Sequence, residues 1–121
     1  MTQSLDDRYR RLLAKQLVRN EETWSILVAR GVSEATTLRL DFAYAAPDRA
    51  SAQSLEAVLK ELTDYDVRVE SSGSLLRKAY SVVGSTQPTR VSHELLDQWV
   101  DWMVSAGLHW NCEFDGWGAQ L

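Results

Sequence analysis

Three groups of side chains have types and spacings that could do chemistry. His109 and Cys112 lie three residues apart, and an imidazole beside a thiol is the arrangement that activates cysteine as a nucleophile. Three apart on a strand, however, two side chains point to opposite faces, and a lone cysteine packs as a small hydrophobe, so Cys112 reads as a buried structural residue. Asp97 with Asp101, and Glu113 with Asp115, are carboxylate pairs. Four apart shares a helix face and two apart shares a strand face, so either pair could hold a cation or serve as acid and base. The bland account of both pairs is the stronger one, since a helix outer face is often acidic for solubility, and His93 reads as a solvated helix-start residue. The expectation is an acidic surface with no catalytic residue, no metal and no cofactor.

A fourth feature follows the second pair. In Glu113-Phe114-Asp115-Gly116-Trp117-Gly118 a tryptophan stands between two glycines just past a strand. Glycine admits backbone angles closed to other residues, so the chain is expected to turn sharply here and fix where Trp117 points. Two readings stay open for Trp117: a lid over the core edge, or an exposed anchor for a partner.

The chain as a whole limits what these residues can belong to. Its 121 residues, 45% hydrophobic and 25% charged, suit one soluble domain that needs neither metal nor disulfide to fold. One cysteine excludes a disulfide framework. No apolar run approaches the ~20 residues of a membrane span, and Met1 to Arg19 lacks a signal-type apolar stretch, so a cytoplasmic protein with no membrane association is expected. The net charge of −4 is unevenly spread. Residues 1–30 carry six basic side chains against four acidic ones, whereas beyond Arg90 there is no Lys or Arg, only Glu94, Asp97, Asp101, Glu113 and Asp115. Phosphate-backbone affinity needs clustered cations, so direct nucleic-acid binding is disfavoured and a basic protein partner fits better.

Periodicity supplies the elements that must position these residues. Leu13, Leu17, Trp24, Leu27 and Val28 form a helical stripe closed by Gly31, with Asn20 a point where a second helix could restart. Leu38, Leu40, Phe42 and Tyr44 alternate as a strand ended by Pro47. Leu55, Val58, Leu59 and Leu62 repeat as an amphipathic helix capped by Asp48 or Ser51. Tyr65, Val67 and Val69 begin a second strand, Ser71 to Ser74 make a turn, and Leu76 to Ser85 return antiparallel. Ser92 caps a last helix ended by Gly107, and a final strand sets Trp110, Cys112 and Phe114 against Asn111, Glu113 and Asp115.

This order predicts an α+β fold: a ferredoxin-like βαββαβ sandwich, with an antiparallel four-stranded sheet, two helices on one face and a preceding N-terminal helix. Residues 1–20 are expected as a helical extension and 21–121 as the domain. The other sheet face is then polar, with Arg39, Asp41, Asp66, Arg68, Glu70, Ser81, Glu113 and Asp115, which lacks the aromatic platform of RNA-recognition sheets.

The hexapeptide Glu113 to Gly118 resembles the acidic-aromatic-Asp-Gly-Trp-Gly signature of the regulator of ribonuclease E activity B family. The element order over residues 21–118 is consistent with that resemblance. It implies a small ferredoxin-like protein that binds a ribonuclease E type endoribonuclease and restrains RNA cleavage without being an enzyme. On this basis Glu113, Asp115, Gly116, Trp117 and Gly118 are the expected protein-binding residues, with Asp97 and Asp101 as rim charges. Two departures stand out: the family's long acidic tail has no counterpart before Leu121, and the basic segment Met1 to Arg19 is additional. Leu5, Tyr9, Leu12, Leu13 and Leu17 offer that segment an apolar stripe for dimerisation. A homodimeric scaffold binding a small ligand or another protein is the alternative.

Overall fold

The computed structural model describes residues 4–120; residues 1–3 and 121 of the expected ranges lie outside the described residues. The elements run α1 (Leu5–Ala29), β1 (Thr37–Ala46), α2 (Arg49–Leu62), β2 (Asp66–Gly73), β3 (Lys78–Ser85), β4 (Thr89–Arg90), α3 (His93–His109) and β5 (Glu113–Gln120). β1 is central, pairing antiparallel with β3 and with β5, and β3 pairs antiparallel with β2. This is the expected ferredoxin-like α+β arrangement behind an N-terminal helix. The sheet has five strands instead of four, because after β3 the chain rejoins β1 as β4, opposite Thr37 and Leu38.

The alternating run on β1 buries Leu38, Leu40, Phe42 and Tyr44, each 4% exposed or less. These meet Leu55 and Leu59 of α2 and Leu96, Val100, Met103 and Val104 of α3, all buried. Leu62, placed on the same helical stripe, is instead 64% exposed at the end of α2. Asp48 is the α2 cap, accepting from the Ser51 amide, and Ser92 caps α3. The opposite sheet face is polar as expected. Arg39 pairs with Asp66 at 3.3 Å, Arg68 with Glu70 at 3.1 Å, and Asp41 accepts from Ser85 and Gln120.

Several expectations are corrected. α1 is one helix, so the boundary at residues 20 and 21 falls inside it; Asn20 is fully buried within the helix rather than starting a new one. Of its apolar stripe, Tyr9, Leu12 and Leu13 pack against the main core, while Leu5 is 52% exposed and Val28 faces outward at 50%. α3 does not end at Gly107 but runs to His109. A Cβ at Gly107 would lie 2.4 Å from Tyr44 Cε1, so the glycine serves close approach to β1. The stop comes at Asn111, whose positive φ of 61° turns the chain and lets the Cys112 amide donate to the Gly107 carbonyl. Finally, Trp110 caps α3 and is not part of the last strand, and β5 runs straight through the Gly-Trp-Gly segment, where a sharp turn was expected. No helix among the described residues is long and apolar enough to cross a membrane.

Candidate functional site

The acidic-aromatic segment owes its geometry to one extra residue. Along β1 and β5, Ala43 faces Gly116 but Tyr44 faces Phe114, so Asp115 has no counterpart and forms a β-bulge. A regular strand would send Phe114 and Trp117, three apart, to opposite faces. The bulge resets the parity, and both rings face the helices, opposite Tyr44 and Phe42 respectively. Gly116 carries the unusual backbone, at φ 148°, while a Cβ there would meet only Arg19 Nη1 at 3.8 Å. Gly116 is therefore needed for its conformation. Gly118 is not, since a Cβ there would meet open space.

Trp117 is a partly buried lid. Its ring meets Trp99 edge-on at 6.1 Å, and Trp99 in turn meets Phe42 and Phe114 and donates to the Tyr65 hydroxyl. Trp117 Nε1 donates to Asn20 Oδ1 at 2.7 Å, and Asn20 Nδ2 donates to Asp97 Oδ1 at 3.1 Å. The other Asp97 oxygen lies 3.7 Å from His93 Nε2. One buried asparagine thus ties β5 to α3 through α1, with each of its side-chain polar atoms bonded.

The same helix meets the remaining candidates. Tyr9 donates its hydroxyl to Asp101, and the tyrosine pKa is raised, chiefly by that hydrogen bond, then by burial and the Asp101 charge. Arg8 reaches Asn111 at 3.0 Å and Glu113 at 3.4 Å. Arg19 donates to the Asp115 carbonyl and Gln16 to the Phe114 carbonyl, satisfying edge groups of β5 that would otherwise face water or another strand. The structure therefore brings Asp97, Asp101, Glu113, Asp115 and Trp117 against one element, α1. Asp97 and Asp101 are half-buried and partnered beneath it, Glu113 and Asp115 remain exposed, and Gly116 and Gly118 act through the backbone of β5.

Sequence reasoning missed the α1 side of this cluster. A signal was present: Tyr9, Leu13, Gln16, Asn20 and Leu27 share the inward stripe, and two amides in an apolar stripe mark buried polar contacts.

Cys112 is fully buried, with its sulfur near the Ser51 and Trp110 carbonyls, and His109 packs edge-on against Trp110. Burial pushes the thiol from its ordinary 9.0 up to about 11, with the Asp48 charge adding to the effect. A neutral buried thiol is a poor nucleophile at neutral pH. The raised value makes burial of the thiol stabilising below pH 9, and that contribution is lost as pH rises from about 9 through 11. Folded protein at pH 8 is expected to react with a thiol reagent much more slowly than unfolded protein, and stability should decline over that alkaline window; a fast native-state reaction would contradict this placement.

The fold and site define a ferredoxin-like α+β domain whose acidic-aromatic edge is clasped by its own basic helix. No protein-family model matches the chain, and no curated protein matches it.

Proposed function

We propose that this domain is a non-catalytic regulator that binds a basic protein surface, in the manner of the ribonuclease E inhibitors its hexapeptide resembles. Restraint of RNA cleavage would follow by competition, with carboxylates occupying basic surface that RNA phosphates otherwise use. The observation that carries this reading is the acidic edge of β5. Glu113 and Asp115, two apart along the strand, are both exposed there, in a stretch without a single Lys or Arg. α1 gives an internal example of the complementarity: Arg8 already pairs with Glu113, while Asp115 engages Arg19 only through its backbone carbonyl. The inward ring of Trp117 positions the edge instead of contacting the partner.

A titration against a purified ribonuclease E type endoribonuclease tests the proposal. Salt-sensitive binding at micromolar protein is expected, weakened between about two- and tenfold by Glu113→Gln with Asp115→Asn, since exposed charges contribute modestly. No binding at low salt would sink it. A second reading, a homodimeric scaffold with a small ligand, draws on a cleft of about 410 Å³ lined by Leu40, Tyr65, Arg90, Leu96 and Trp99. That volume is within the range of small-molecule sites. Light scattering decides the dimer part, because a strict monomer removes it.

A further inference from the structure

The hairpin joining β2 to β3 ends in a feature that the fold does not use. Ser74 to Arg77 close a tight turn, in which the Arg77 amide donates to both the carbonyl and the hydroxyl of Ser74, each at 3.2 Å. Gly73 enters it at φ 98°, where a Cβ would lie 2.1 Å from the Arg77 carbonyl, so the apex is tightly defined. Leu75 and Leu76 occupy the two corner positions. Such corners ordinarily hold Gly, Pro, Asn, Asp or Ser. Here two leucines stand 94% and 95% exposed, more so than any other large hydrophobic residue among those described. They touch no core cluster, so folding does not require them.

Their surroundings select the occupant. Arg77 and Lys78 follow directly, and residues 71–80 contain no acid. Farther along the stem, where Tyr80 pairs with Ser71, Arg49 lies over the Tyr80 ring at 5.5 Å and adds a third cation. The stem beside the apex is serine, glycine and alanine, all exposed. A protein partner would gain little beyond two side chains here, far short of the ~800 Å² per partner of a stable interface. A bilayer interface needs only a convex apolar apex with cations just behind it, and requires no matching shape.

We infer that the Leu75-Leu76 apex, with Arg77 and Lys78 behind it, is a reversible anchor for anionic lipid surfaces. This goes beyond the protein-binding proposal and uses none of its residues. The sequence expectation of no membrane association came from the lack of a spanning segment, and two leucines at a turn escape any span-length reading of hydropathy. The anchor inserts side chains from one turn and leaves the domain in water.

Vesicle flotation with the full chain tests the inference. Binding is expected to phosphatidylglycerol-containing vesicles at low salt and not to pure phosphatidylcholine. Leu75→Ser with Leu76→Ser should reduce partitioning at least about tenfold. Arg77→Gln with Lys78→Gln should reduce it roughly fivefold or more and flatten its salt dependence. Both variants should keep the parent circular dichroism and unfolding midpoint, since the apex makes no core contact. Absence of flotation on anionic vesicles, or equal flotation of the parent and the leucine variant, overturns the inference. So does self-association without vesicles that the leucine variant abolishes, because the occupant would then be a second copy.

Discussion

Trp117→Ala is expected to lower the unfolding free energy by about 3 kcal/mol, the lower part of the range for truncating a large aromatic residue because Trp117 is only partly buried. Two losses combine. The edge contact with Trp99 disappears, and Asn20 Oδ1, on a residue with no exposed surface, loses the donor 2.7 Å away. An orphaned buried acceptor accounts for roughly 1–3 kcal/mol by itself. Trp117→Phe separates the terms: it keeps most of the ring contact and should cost about 1–2 kcal/mol. Urea unfolding of the two variants, with Asn20→Ala and the double variant, closes a cycle in which residues 20 and 117 are expected to couple, not add.

The same variant distinguishes a positioning role from a contact role. If Trp117 holds α1 to β5 through Asn20, Trp117→Ala loosens α1, and amide exchange along Leu5–Ala29 should quicken more than exchange in β1. Partner binding per folded molecule is then retained or improved, because loosening α1 frees Glu113 from Arg8 and uncovers Asp97 and Asp101. Loss of partner binding without faster exchange in α1 would instead mark the indole as an interface anchor, against the inward orientation seen here.

The sequence pattern carried the layers well, because burial of β1 and α2 follows simple periods. The run Leu38 to Tyr44 alternates without interruption, and Leu55 and Leu59 sit on one helical stripe. The site was less legible, and for specific reasons. Reading which face a side chain takes assumes an unbroken period of two, and the extra residue at Asp115 breaks it just before Trp117. Gly116 fits a turn and a bulge equally, and only its pairing with Ala43 separates them. α1 was obscured by composition. Its inward stripe includes Gln16 and Asn20, which count against burial until their partners, the Phe114 carbonyl and Asp97 with Trp117, come from residues far along the chain. The uneven charge acquires a structural meaning in the same way: the basic first helix lies over the acidic last third of the chain.

Gly107→Ala is expected to be the other severe substitution, and its sign decides what the glycine is for. If Gly107 only ended α3, alanine would be neutral or would gain up to about 1 kcal/mol in helix propensity. The structure instead places an added Cβ 2.4 Å from Tyr44 Cε1 and 2.8 Å from both Tyr44 Cδ1 and the Cys112 carbonyl oxygen. Tyr44 has little freedom to yield. It is 1% exposed, its hydroxyl donates to the Met103 carbonyl at 2.7 Å, and its ring meets Phe42 and Phe114 edge-on. Relief must come from α3 moving off the sheet, an overpacking cost of about 3 kcal/mol that the propensity gain offsets only in part. The unfolding midpoint should fall by roughly 10 °C in a scanning measurement. A local marker accompanies the global one. The Cys112 amide donates to the Gly107 carbonyl at 2.9 Å, so moving α3 also disturbs the turn that buries the thiol. Cys112 in Gly107→Ala should react with a thiol reagent faster than the parent under native conditions, and unchanged reactivity with an unchanged midpoint would mean that α3 and β1 do not pack as closely as this contact requires.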